Sequence, residues 1–192
     1  MIFDFLTIFL LGGLLLLAFY TVLRFLGKFP GRTIDDVTPY LRPTDMATFE
    51  AILGPAEEIN FKLRLSPEEF RQMQRKRVHL LRECLLRMSH NAMVLIEWGN
   101  MEWTGPHTEQ KRILGHELVQ AAVELRLYSL LALARLKIWI ILQPFFSVSS
   151  LRGMRSVAGI DPVRAYNRVK LAAESLGLIY GLQFQQDLVS RL

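Results

Sequence analysis

The sequence predicts an all-α protein: one N-terminal transmembrane helix followed by an antiparallel helical bundle with two long central helices. Three observations carry that prediction. Residues 5–23, FLTIFLLGGLLLLAFYTVL, form a run of nineteen without a charge. Two long stretches with apolar residues at helical spacing follow, one opened by Ser66-Pro67 and the other closed by Pro144, with GNMEWTGPHT between them. Alternating apolar and polar positions, the mark of a strand, occur in only one short stretch, and no second strand is evident to pair with it.

The uncharged run opens at Phe5 and closes at Leu23. At about 1.5 Å per residue it reaches about 28 Å, close to the ~30 Å hydrocarbon core of a bilayer. A cleaved leader would carry Lys or Arg before its apolar run and a small-residue site after it. Here only Asp4 precedes, and no such site follows. A buried core helix of this composition would have no polar side for water, so an uncleaved span is expected. Arg24, Lys28 and Arg32 follow the run, an asymmetry that retains the C-terminal side in the cytoplasm. The expected layout is a single-pass anchor in the cell membrane over residues 1–26, with the N-terminus outside. A juxtamembrane linker over 27–43, stiffened by Pro30, Pro39 and Pro43, leads to a cytoplasmic helical domain over 44–192.

Composition agrees with an anchored domain. A chain of 192 residues, 51% apolar with a mean hydropathy of +0.23, falls between a soluble domain and a multi-span membrane protein. Its net charge of +5 is too modest to mark a polyanion-binding protein. One cysteine excludes an intramolecular disulfide and a multi-cysteine zinc site; Cys84, among Leu80, Leu81, Leu85 and Leu86, reads as a buried thiol.

Within the body, Thr44 is the expected cap of a short helix, DMATFEAIL, ended by Gly54-Pro55. The segment AEEINFKLRL alternates from Ile59 to Leu65 and allows a short strand. Ser66 as N-cap, Pro67 at the first helical position and Glu69 completing a capping box start a long helix. It is expected to run to about Trp98, where Gly99-Asn100 stop it. Phe70, Met73, Leu80, Leu81, Cys84, Leu85, Met88, Ala92 and Leu95 share its core face at 100° per residue. Arg77 projects into that face and calls for an acidic partner or an escape to water.

A second long helix starts near Glu109 and continues to Pro144, apolar almost all round from Leu118 onward. As a membrane span it would carry Arg135 and Lys137 near its centre, at about 2.5–3.5 kcal/mol each. A central helix buried on several sides is therefore expected. An interfacial helix presenting Ile138, Trp139, Ile140, Phe145 and Phe146 to lipid is the alternative. Asp161-Pro162 open a further helix with Val163, Tyr166, Val169 and Ala173 inside and Arg164, Arg168 and Lys170 outside. Gly177 is expected to end it, with a final turn or two after Leu178.

No catalytic constellation, cofactor motif or metal set is legible. His116-Glu117-x-x-Gln120 lacks the second imidazole of a zinc-protease pair. His79 and His90, three turns apart, are ~16 Å from each other and cannot share one ion. Two surfaces remain. Arg71, Arg75, Lys76 and Arg82, with Arg164 and Arg168 added from the last helix, form a cationic face suited to anionic lipid or an acidic protein. It lacks the exposed aromatics and turn motif of a nucleic-acid site. Glu97, Trp98, Glu102, Trp103 and His107 cluster at the hairpin loop as a candidate pocket, or as an apolar clasp between two helices. The expected function is a non-enzymatic, membrane-anchored helical scaffold or accessory subunit of a membrane protein complex, with protein partners in that complex. The alternative is a membrane-bound enzyme or ligand-binding protein with its pocket near residues 97–107.

Overall fold

The computed structural model describes residues 37–142 and 161–192, apart from the side chains of 55–58 and 142. The expected anchor at 5–23, the linker as far as residue 36, and the stretch holding Phe145 and Phe146 lie outside the described residues. Those described are helical apart from short connections, with no strand: α1 Val37–Tyr40, α2 Met46–Leu53, α3 Pro55–Arg64, α4 Pro67–Thr104, α5 Glu109–Leu142, α6 Pro162–Tyr180 and α7 Leu182–Arg191. No helix among them is long and apolar enough to cross a membrane.

The frame is the antiparallel hairpin of α4 and α5. The capping box forms as the sequence specifies: Ser66 Oγ accepts from the Glu69 amide, and the Glu69 carboxylate accepts from the Ser66 amide at 3.0 Å. α4 does not stop at Gly99-Asn100 but continues to Thr104, with Gly105 as its C-cap. The reason is a close crossing. A Cβ on Gly99 would lie 2.8 Å from the Gly115 carbonyl oxygen and 2.8 Å from Val119 Cγ2. A Cβ on Gly115 would lie 2.9 Å from Glu102 Cβ and from the Gly99 carbonyl oxygen. The two glycines let the backbones of α4 and α5 touch just before the loop, so Gly99 serves packing rather than termination.

Leu81, Leu85, Met88, Ala92, Leu95 and Trp98 on α4 bury against Leu118, Ala122, Leu125 and Leu136 on α5, and α6 adds Tyr166, Val169, Ala173 and Leu176. Leu80, expected in the core, is exposed, and Cys84 is only half-buried, its thiol pushed up by that burial. α5 is not covered on all sides. Leu131, Ile138, Ile140 and Ile141 in its C-terminal half are exposed.

The N-terminal elements differ most from expectation. Asp45, not Thr44, caps α2, accepting from the Thr48 amide at 2.9 Å. The segment read as a candidate strand is α3, because Gly54-Pro55 both ends one helix and starts the next with Pro at N1. Arg77 meets no described carboxylate and does not reach the protein surface. It is buried, donates Nη2 to the Ile52 carbonyl at the C-terminal end of α2, and lies 5.9 Å from the Phe61 ring centroid. A cation on the orphan carbonyls of a helix C-terminus is favoured by their dipoles.

Residues 40–44, within and just after the expected linker, are strapped along α4. The fully buried Asn91 accepts from the Arg42 amide and donates to the Arg42 carbonyl, each at 2.8 Å. His90 Nε2 contacts the Tyr40 carbonyl at 3.0 Å, and Arg87 donates to the Pro43 carbonyl at 3.1 Å. At the other end of the chain, Asp161 caps α6 with bonds from the Val163 and Arg164 amides. α6 passes Gly177 and ends at Gly181, whose φ of +112° is open to glycine and rarely to other residues. α7 then extends for ten residues rather than a turn or two.

Candidate functional site

Trp98 and Trp103, among the five residues singled out at the hairpin loop, face different sides of α4. Trp98 and Glu102 stand one turn apart and face α6 and α7. Trp98 is fully buried, edge-on to Phe184 at 5.6 Å and tilted against Tyr180 at 6.3 Å. Glu102 is 2% exposed and accepts a 2.6 Å hydrogen bond from the Tyr180 hydroxyl. His107 Nε2 lies 3.6 Å from the same carboxylate oxygen, an ion-pair distance when the ring is protonated and too long for a good hydrogen bond. Lys111 Nζ sits 3.9 Å above the centre of the Tyr180 ring. Burial and the neighbouring Glu102 push the Tyr180 phenol well above the usual tyrosine range.

This end of the bundle is a filled clasp. The carboxylate is covered by a phenol and the indole by two aromatic rings. Trp103 points to the other side and meets the His116 ring edge-on at 4.8 Å. There it lines two adjoining clefts, of 430 and 390 Å³, with His116 and Gln120. Glu97 is half-buried on α4 and lines neither. Gln120 Nε2 and His116 Nε2 are 3.4 Å apart, so the incomplete zinc-protease pattern is a helix-surface polar pair. Among the described residues no three His, Cys, Asp or Glu side chains converge to hold a metal ion.

The cationic residues stand on two helices, α4 and α6. Arg71, Arg75, Lys76 and Arg82 project from the N-terminal half of α4 and are exposed. Arg71 folds back to donate Nε to the Pro67 carbonyl at 3.2 Å. Arg168 pairs with Glu124 on α5. Arg82 borders a 300 Å³ groove between α4 and α5, with Leu86, Leu133, Ala134, Leu136, Lys137 and Ile140. That groove, and the Tyr180 partner of Glu102, were beyond sequence reasoning. The helical pattern gives no sign of which turn of α5 faces Leu86, or that a residue 78 positions away closes over Glu102.

The class that this geometry defines is an all-α domain built on a long helical hairpin. Comparison with protein-family models, curated proteins and solved structures returns no match.

Proposed function

We propose that the chain is a non-enzymatic, single-pass, membrane-anchored helical scaffold or accessory subunit of a membrane protein complex, with its body in the cytoplasm. The observation that carries this reading is the strap. Only residues 24–36 separate the uncharged run from α1, and the chain just beyond them is tied to α4 through Arg87, His90 and Asn91. An anchor joined in this way keeps the start of the body within about 47 Å of the bilayer, the reach of thirteen residues. A structural role for three buried polar side chains supports this reading: Glu102 and Asn91 hydrogen-bond within the chain, and Arg77 donates Nη2 to the Ile52 carbonyl.

A ligand-binding or enzymatic reading would use Glu102 and His107, and the packing of Tyr180 and Phe184 against that cluster weighs against it. The test has two arms. With Cys84 replaced, a cysteine placed near the N-terminus should react with an impermeant thiol reagent on intact cells, and one placed after Lys28 should not. Purification from mild detergent should then recover a stoichiometric membrane-protein partner. Reversed labelling, or recovery of the chain alone, counts against the proposal.

A further inference from the structure

We infer that the outer face of the C-terminal half of α5 lies on an anionic lipid bilayer, with Arg82 and Lys137 on headgroup phosphates. The inference rests on the membrane-anchored reading above and names what the body itself touches.

α5 is apolar on two opposite sides. Leu118, Leu125 and Leu136 turn inward and are buried. Opposite them, Leu127, Leu131, Ala134, Ile138 and Ile141 recur at intervals of four, three, four and three residues. Leu127 is half-buried, Leu131 and Ala134 are exposed, and Ile138 and Ile141 are 56% and 58% exposed. At 100° per residue these five fall within an arc of about 80°, and Arg135 and Lys137 stand about 80° to either side of its centre. Cations at both margins of an apolar arc suit a helix lying in the interface, where long side chains reach back from the apolar region to the phosphates. α5 is not apolar enough to pass through a membrane, so a surface position is the one that satisfies both its isoleucines and its charges.

Charge and connectivity identify lipid as the occupant. Arg71, Arg75 and Arg82 share one side of α4 with Leu86, and that side meets α5 at the groove lined by Leu86, Ala134, Lys137 and Ile140. The surface is therefore cationic along α4 and apolar along α5, matching a negatively charged headgroup layer over a neutral acyl layer. The tether enters at the same level. His90, which holds the Tyr40 carbonyl, is one turn from Leu86 on the same side of α4. The thirteen residues 24–36 span at most about 47 Å, so an anchored chain keeps this face within reach of the bilayer.

The test uses the full chain, with Cys84 replaced by serine and Ile138→Cys carrying an environment-sensitive fluorophore. The chain is reconstituted into phosphatidylcholine vesicles with or without about 30% phosphatidylglycerol. Leu171→Cys, an exposed site on α6, is the reference. A lipid-borne quencher should quench position 138, and not 171, in the anionic vesicles. Arg82→Gln or Lys137→Gln should weaken the contact equilibrium about fivefold each, and raised salt should act in the same direction. Flotation after an alkaline wash reports separately on the anchor. A chain that floats with position 138 unquenched overturns this inference and leaves the anchor standing; a chain that floats with neither vesicle overturns both. Equal quenching at 138 and 171 overturns it as non-specific. Cross-linking between Ile138→Cys copies, with no effect of lipid, reassigns the face to a second copy of the chain.

Discussion

Tyr180 and Glu102, 78 positions apart in the chain, meet in a 2.6 Å hydrogen bond at the buried loop end of the hairpin. The phenol ties α6 to α4 and satisfies a carboxylate that has almost no access to water. Removing it with Tyr180→Phe leaves Glu102 short of its donor, which should cost about 1–3 kcal/mol in urea unfolding at neutral pH. Glu102→Gln, which keeps an acceptor for the phenol, should cost less. Equal losses would count against the bond as the source.

The same phenol sets an alkaline limit. Burial, and then Glu102, push the Tyr180 pKa up, so the folded state keeps a proton that the unfolded chain loses near pH ~10. Its contribution is complete below that pH and declines as pH rises beyond it. Tyr166, pushed up to about 12 by burial, acts in the same direction. Stability should therefore fall above about pH 10, and Tyr180→Phe should make that fall shallower. An alkaline limb of unchanged slope in the variant would contradict the assignment.

Gly99 and Gly115 should be intolerant of any side chain. Alanine gains about 1 kcal/mol of helix propensity over glycine, but at these positions its Cβ meets opposing backbone that cannot move aside cheaply. Gly115→Ala should be net destabilising by about 1–2 kcal/mol, with Gly99→Ala similar. Gly177→Ala is the contrast. Its nearest neighbour is a leucine methyl, Leu188 Cδ2 at 3.3 Å, so thermal unfolding should show a neutral or stabilising change.

Asn91→Ala should release the strap. The Arg42 amide and carbonyl lose their partner together, and about 1–3 kcal/mol of local stability goes with them. Hydrogen exchange should show faster labelling at residues 40–44, with the α4–α5 hairpin little changed. Uniform loss of protection across the hairpin would instead make Asn91 a core residue of the whole bundle.

What the sequence reveals about this fold follows the range of each interaction. The caps at Ser66 and Asp161 are legible because donor, acceptor and helix start lie within four residues. The two long helices are legible from their apolar spacing. Gly99 is misleading because a glycine at a helix stop and a glycine at a close crossing look alike until Gly115 is seen beside it. α3 is misleading because a short alternating stretch satisfies two periods at once, and Pro55 at N1 decides for helix. At the candidate site, the clustering of Trp98, Glu102 and His107 is local and visible. Their closure by Tyr180 and Phe184 is a tertiary event with no signature in the pattern.

The order of these closures along the chain has a consequence for synthesis. The α4–α5 hairpin is made of near-neighbour contacts across a short loop, a topology of low contact order that forms quickly. Its loop end nevertheless contains a carboxylate whose phenol partner is translated 78 residues later. Until α6 has left the ribosome, Glu102 keeps the loop end of the nascent hairpin hydrated and Trp98 uncovered. Docking of Tyr180 and Phe184 then covers that end, so a truncated product betrays itself by an exposed indole next to an uncovered carboxyl group.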